Sequence, residues 1–142
     1  MIRVYVDMVA DLFHPGHVEF LRKASAFGDA LVVGIHSDGT VASYKRRPLM
    51  TMAERMAVVA GCRYVDEVVP DAPLVVHEAW LKTHRIDLVV HGDDFDAEMA
   101  TKLYGVPMEM GIFRTVPYSP GVSTSDLLAR LRLRIEEDLD GC

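Results

Sequence analysis

Two segments, ALVVGI at residues 30–35 and IDLVVH at 86–91, restrict the folds open to this chain more than any other feature. Both are close to continuously apolar rather than alternating, the signature of a strand covered on both faces. Such a strand needs helices above and below it, and helix-like stretches do alternate with the apolar runs along the chain. Strands are expected at residues 2–6, 30–35, 65–69, 86–91 and 112–116. A first helix is expected over 15–27, with Val18, Leu21 and Ala24 on one face and Gly28 ending it. The capping-box spacing Thr51-Met-Ala-Glu54 starts a second helix that runs to about residue 60. Further helices are expected at 73–84, at 97–104, and from Ser123 to about residue 139.

The class this pattern predicts is α/β, a Rossmann-like three-layer sandwich with a five-stranded, mainly parallel sheet. At 142 residues, with no linker, repeat or low-complexity tract, residues 1–142 read as one domain able to bury a core. The net charge of −6 argues against attraction to nucleic acid, which has only Lys45-Arg46-Arg47 in its favour. No apolar run reaches 18 residues, so no membrane span is expected. The N-terminus opens on a strand-like run rather than a basic region, so no cleaved leader is expected. Cys62 and Cys142 are too few for a disulfide framework and wrongly spaced for zinc, which points to a reducing, cytoplasmic setting.

Chemistry concentrates at the predicted carboxyl ends of the strands. His14-Pro15-Gly16-His17 falls between the first strand and the first helix. Pro15 suits the first helical position, and Gly16 lets a ligand approach the unpaired N–H groups there. Two imidazoles three positions apart can then donate to one phosphate; a surface turn or a metal pair are the alternatives. Residues 36–50 form the longest stretch without periodicity, and a loop of that length is a functional or mobile one. It carries Lys45-Arg46-Arg47, followed by Arg55, either a solvated face or a set of cations closing over polyphosphate. Gly92-Asp93-Asp94 follows the buried strand at 86–91; its acids suit a base or ribose, or simply cap the next helix. Gly121-Val122-Ser123-Thr124-Ser125 precedes the last helix, where three hydroxyls exceed what one cap needs and make a second anion cradle. Among other residues, His36 and His91 follow strands near the proposed cleft, His77 and His84 read as structural or exposed, and Trp80 reads as core.

These motifs, in this order, resemble the cytidylyltransferase branch of the nucleotidyltransferase superfamily, related to glycerol-3-phosphate, phosphoethanolamine and phosphocholine cytidylyltransferases. The likeness runs from Val4 to about Leu131. Asp11-Leu-Phe-His14-Pro-Gly-His17 matches the D-x-x-HxGH signature, Tyr64-Val-Asp-Glu67-Val the RYVDEV stretch, Gly92-Asp93-Asp94 the GDD, and Gly121 to Ser125 the GISTS portion of RTEGISTS. Pro48 to Arg55 resembles the segment with the family's Arg, and Lys45 falls on its functional Lys. The family's Arg-Thr-Glu is replaced by Tyr118-Ser119-Pro120, with Arg114 four residues earlier, and Asp7-Met8-Val9-Ala10 replaces a glycine-containing turn.

What the resemblance implies is transfer of CMP from CTP to a small phosphorylated alcohol or phosphonate, with release of pyrophosphate. It places His14, His17, Lys45 and Arg55 in catalysis, His17 foremost at the transition state. It places Val9, Ala10, Asp11, Gly16, Gly92, Asp93, Asp94, Tyr118, Gly121, Ser123, Thr124 and Ser125, with the two histidines, around the nucleotide. It implies Mg²⁺ carried mainly by the CTP phosphates with no protein metal site, and a homodimer. An adenylyltransferase on the same scaffold, or a non-catalytic nucleotide-binding module, are the rival readings.

Overall fold

The computed structural model describes residues 1–118 and 121–140; Ser119, Pro120, Gly141 and Cys142 lie outside the described residues. One sheet contains β1 (Arg3–Met8), β2 (Ala30–Ile35), β3 (Glu67–Val69), β4 (Leu88–Gly92) and β5 (Phe113–Val116), in the order β3-β2-β1-β4-β5. Every neighbouring pair is parallel. The helices are α1 (Pro15–Ser25), α2 (Asp38–Ala42), α3 (Met52–Ala60), α4 (Glu78–Thr83), α5 (Ala97–Glu109) and α6 (Thr124–Asp140).

Side chains alternate across a strand, so the sheet feeds two cores. Val4, Val6, Leu31, Val33, Ile35 and Val90 pack with Leu21 and Ala24 of α1 and Val59 of α3. On the opposite face Val89 packs with Val76, Leu81 of α4 and Tyr104 of α5. The chain builds outward from β1 through β2 to β3, then returns to the other side of β1 for β4 and β5. The strand order therefore reverses between β1 and β4, and the carboxyl edge at that point is where open α/β sheets leave a crevice. The turn holding His14 and the turn beginning at Gly92 both leave the sheet there. Among the described residues no helix is long and apolar enough to cross a membrane.

Several boundaries differ from the sequence expectation, each for a local reason. β1 continues to Met8 because its last residues pair in register with β2 through Ile35. α1 stops at Ser25, with Ala26 capping it in a right-handed conformation, so Gly28 is not the helix terminator. Val18, expected on the buried face, is exposed. α4 is confined to Glu78–Thr83, capped by the His77 side chain, because residues before it are held extended: Ala72 N–H donates to Ile35 O, and Val76 N–H to Leu103 O. That second bond explains α5. Pro107 has no N–H for the Leu103 carbonyl, Val76 takes the acceptor, and the helix runs on to Glu109 across a kink at Tyr104. Inside the aperiodic 36–50 stretch lies α2, whose five residues, capped by Ser37, are too few to show a helical repeat.

Gly28 is required by close packing: a Cβ there lies 2.7 Å from both Ile2 O and Val4 Cγ2. Gly28→Ala is expected to destabilise the fold by about 1–3 kcal/mol, the scale of core overpacking, read as a lower urea midpoint at unchanged m-value.

Candidate active site

The first helix start is closed by its own histidines. His14 is the N-cap of α1, and its Nδ1 accepts from Gly16 N–H at 3.0 Å. His17 Nδ1 accepts in return from His14 N–H at 3.1 Å. With both Nδ1 atoms accepting, the ring proton of each neutral imidazole is on Nε2, which stays available as a donor. The rings lie 4.0 Å apart between centroids, and Phe13 stacks on His17 at 5.2 Å. Burial lowers the His17 pKa to about 4, helped by the neighbouring His14 and Lys45 and opposed by Asp11. His14 is also lowered, by burial first, against the pull of Asp126. Near neutral pH the site thus presents two uncharged ring N–H donors at a helix start whose own amides are already bonded to His14.

The second helix start meets the first. Thr124 Oγ1 donates to Asp11 O at 3.1 Å, and a Cβ on Gly16 lies 2.9 Å from Val122 O. Only a glycine fits between His14 and that loop. Ser123 Oγ accepts Asp126 N–H at 3.1 Å, and Asp126 answers by accepting Ser123 N–H at 3.3 Å, so one hydroxyl of the expected cradle caps α6. Thr124 has donated its hydroxyl proton to the β1–α1 turn. Ser123 retains its own hydroxyl proton, and Ser125 is exposed.

Asp11 holds the basic segment against this edge. Its buried carboxylate accepts Leu49 N–H at 2.9 Å and Met50 N–H at 3.0 Å. It sits between Ala10 and Leu12, both at positive φ (59° and 50°), a strained turn held by those bonds. Lys45, Arg46 and Arg47 are exposed on the segment so anchored.

Arg55 departs from the expectation of a phosphate contact. It is 0% exposed, and its guanidinium donates to Met50 O (3.0 Å), Val9 O (2.7 Å), His36 O (2.9 Å) and Asp38 Oδ1 (2.6 Å). It ties the β1–α1 turn, the end of β2, α2 and the start of α3 together, and its reach is consumed by the protein. The signal was present in the sequence: Arg55 stands four residues before the apolar Val59, on the same inward stripe of α3.

At the β4 exit, Asp93 Oδ1 accepts Tyr118 N–H at 2.8 Å, while Asp93 N–H donates to Val116 O at 3.0 Å. Asp93 therefore joins the ends of β4 and β5, Asp94 is exposed, and the cap of α5 is Asp96 rather than either. The Tyr118 side chain is exposed, and Ser119 and Pro120 lie outside the described residues. Arg114 donates to Gly111 O and Phe113 O, on the exposed edge strand.

Sequence reasoning missed a polar nest on the α4–α5 side of β1. Asp7 is buried, and its Oδ1 accepts the Tyr104 hydroxyl at 2.7 Å. Its Oδ2 and the Tyr5 hydroxyl are buried with no partner among the described residues. His36 Nδ1 lies 2.9 Å from Ala72 O, which only accepts, so the ring's Nε2 is the atom 3.8 Å from Asp7 Oδ2. Burial first, then the Asp7 charge, raises the pKa of both Tyr104 and Tyr5. The available signal was an acid inside the apolar run RVYVDM.

A model of the family described as Cytidylyltransferase-like matches residues 8–130. An Arabidopsis thaliana ethanolamine-phosphate cytidylyltransferase is 44% identical over 135 residues, covering 90% of this chain and 32% of that one. A Homo sapiens choline-phosphate cytidylyltransferase A is 38% identical over 133 residues, 92% of this chain and 36% of its own length. The chain thus spans about a third of these curated relatives. A crystal structure of a lipopolysaccharide core biosynthesis protein from Thermoplasma volcanium superposes with a TM-score of 0.67 at 27% identity, covering 86% of this chain and 99% of that one.

Two outcomes follow from the site's geometry. Arg55→Leu strands three carbonyls and Asp38, and is expected to cost roughly 3–5 kcal/mol in urea unfolding. Because the His17 value of about 4 lies below the ordinary 6.5, the unfolded chain binds more protons between those pH values. Stability is then full above about pH 6.5 and falls as the pH drops towards 4, and His17→Asn should flatten that slope.

Proposed function

Because the chain belongs to the cytidylyltransferase-like family, we propose that it transfers CMP from CTP to a small phosphorylated alcohol and releases pyrophosphate. The observation that carries this reading is the meeting of two helix starts, α1 and α6, with two uncharged imidazoles between them. An acceptor phosphate oxygen forms the new bond to the α-phosphorus as the α–β bridging bond breaks and pyrophosphate leaves. The acceptor is already an anion, so no general base is needed. What the chain supplies is alignment of two mutually repelling anions and donors for the charge on the α-phosphate.

His17 and His14 take that role through Nε2–H, His17 first because it is the more enclosed. The α6 amides and the Ser123 hydroxyl face the triphosphate, Lys45 supplies mobile positive charge, and Gly92 with Asp93 and Asp94 borders the nucleoside. Arg55 acts through the backbone it holds. The same reading includes magnesium, which would be carried mainly by the CTP phosphates and would supply neutralisation of their charge. A homodimer belongs to the same reading.

The acceptor we infer is a phosphorylated amino alcohol, the class named for the relatives above. Asp7 Oδ2 is a buried carboxylate oxygen with no hydrogen-bond partner among the described residues, beside the Tyr104 hydroxyl that donates to Oδ1, and an ammonium group would supply the missing donor and charge.

Pyrophosphate release is to be measured with CTP and with ATP against phosphoethanolamine, phosphocholine, glycerol 3-phosphate and 2-aminoethylphosphonate. CTP with an amine-bearing acceptor is expected to turn over; turnover with ATP alone would overturn the reading in favour of an adenylyltransferase. His17→Ala is expected to lose on the order of 10²–10³ in kcat, the scale of one transition-state donor. Asp7→Asn should raise KM for the amine acceptor by roughly tenfold or more while leaving KM for CTP unchanged.

A further inference from the structure

Just below the carboxyl edge, on the α4–α5 side of β1, two hydrogen-bond acceptors face one another with no proton between them. Asp7 and His36 are 8% and 5% exposed, and His36 Nε2 lies 3.8 Å from Asp7 Oδ2, too far for a hydrogen bond. Asp7 Oδ1 accepts the Tyr104 hydroxyl at 2.7 Å, while Oδ2 has no partner among the described residues. The His36 ring is held by Nδ1, 2.9 Å from Ala72 O. A carbonyl only accepts, so Nδ1 carries the proton and the neutral ring turns a lone pair, not an N–H, towards Asp7. The backbone of His36 is fixed as well: its N–H donates to Met8 O at 3.2 Å, and its carbonyl accepts Arg55 Nη1 at 2.9 Å. The ring cannot leave the carboxylate without breaking the Ala72 bond.

Two acceptors facing each other out of solvent are unfavourable until a donor bridges them. The distance decides what fits. A nitrogen about 2.9 Å from both sees them roughly 80° apart, so two of its N–H groups can donate within about 20° of straight. That nitrogen needs at least two N–H groups, and a positive charge is favoured because one partner is a carboxylate. A primary or singly methylated ammonium meets both conditions. A quaternary ammonium has no N–H, and its methyl groups hold the charge away from both acceptors. Such groups are held instead by open aromatic faces. The ring beside Asp7 is engaged otherwise: Tyr104 turns its hydroxyl to the carboxylate and stacks on Phe113 at 5.2 Å.

Asp7 is the last residue but one of β1, and His36 follows β2 directly. Both therefore stand at the edge where the β1–α1 turn presents His14 and His17. We propose that Asp7 Oδ2 and His36 Nε2 form a two-acceptor clamp for the ammonium group of the amine substrate, with His36 selecting amines that keep at least two N–H groups. This rests on the transferase reading above and goes beyond it: Asp7 attracts any cation, whereas His36 discriminates by methylation. The break in preference falls between a secondary and a tertiary ammonium.

Pyrophosphate release with CTP tests this across phosphoethanolamine and its N-methyl, N,N-dimethyl and N,N,N-trimethyl forms, which carry three, two, one and no N–H groups. kcat/KM is expected to change little from the first to the second. It should then fall about tenfold or more at the third and again at the fourth, the scale of one hydrogen bond to a charged group per step. The loss is expected in KM for the amine, with KM for CTP unchanged. His36→Asn keeps an amide N–H where Nδ1 stands and removes the acceptor at Nε2. It should weaken phosphoethanolamine about tenfold and erase the step from N-methyl to N,N-dimethyl. The last step, which belongs to Asp7, should remain. His36→Gln, whose amide oxygen reaches the Nε2 position, should recover part of the lost step. A flat or evenly graded methylation profile in the wild type, or a profile unchanged by His36→Asn, overturns the clamp. So does tighter use of phosphoethanolamine by His36→Asn, which would show that Nε2 is protonated and pairs with Asp7 itself. No CTP-dependent turnover with any of these phosphates overturns the transferase reading and the clamp together, a failure distinct from the others. Far-UV circular dichroism and Tm check that the variants are folded, and the wild-type series decides should either unfold.

Discussion

The guanidinium of Arg55 sits fully out of solvent, bonded to four segments at once, and the shape of the carboxyl edge depends on it. Burying an unpaired charge costs several kcal/mol, and here that cost is offset by four hydrogen bonds, one of them to a carboxylate. Three of the bonds fix backbone positions, the Val9 carbonyl in the β1–α1 turn, the His36 carbonyl after β2 and the Met50 carbonyl before α3, and the fourth holds the Asp38 side chain of α2. Asp11 completes the arrangement from the other side by accepting the amides of residues 49 and 50. A buried cation and a buried anion thus hold the same loop by its carbonyl and its N–H groups. The turn they support carries two non-glycine residues at positive φ, which persist because the surroundings over-determine them.

On that frame stand two histidines used in an uncommon way. A Ser or Asp cap would satisfy the helix start and leave nothing behind. An imidazole cap satisfies it with Nδ1 and still offers Nε2–H, so one side chain both ends a helix and faces a ligand. The low His17 value has the same origin. A ring buried against Phe13 and His14, within reach of the Lys45 charge, resists becoming a cation. The ring donors at this helix start are therefore neutral dipoles, and net positive charge is left to the exposed Lys45-Arg46-Arg47 segment. In a protein of net charge −6, attraction for any polyanion has to be local in this way.

Two features stand outside this edge. The Asp7–Tyr104–His36 nest lies beneath it, on the opposite core, where one buried carboxylate oxygen has no hydrogen-bond partner among the described residues. Helix α6 starts at the edge and leaves it, its first turn fixed by the Ser123–Asp126 exchange and its remainder exposed. Both follow from side chains that the fold leaves either unsatisfied or exposed.

The amino-acid sequence by itself determined the alternation of strands and helices, the sheet's parallel character, and the position of each motif at a strand's carboxyl end, because apolar periodicity and turn chemistry are local properties. It placed the starts of α1 and α3 to the residue, since Pro15 and the Thr51–Glu54 pair act within one turn. Only the tertiary structure decided which backbone carbonyls the inward-facing Arg55 reaches, that α4 is short, that α5 bends at Tyr104, and that Asp7 meets a tyrosine 97 residues away. Those outcomes depend on which backbone groups compete for the same acceptor across the sheet. No spacing along the chain records that competition.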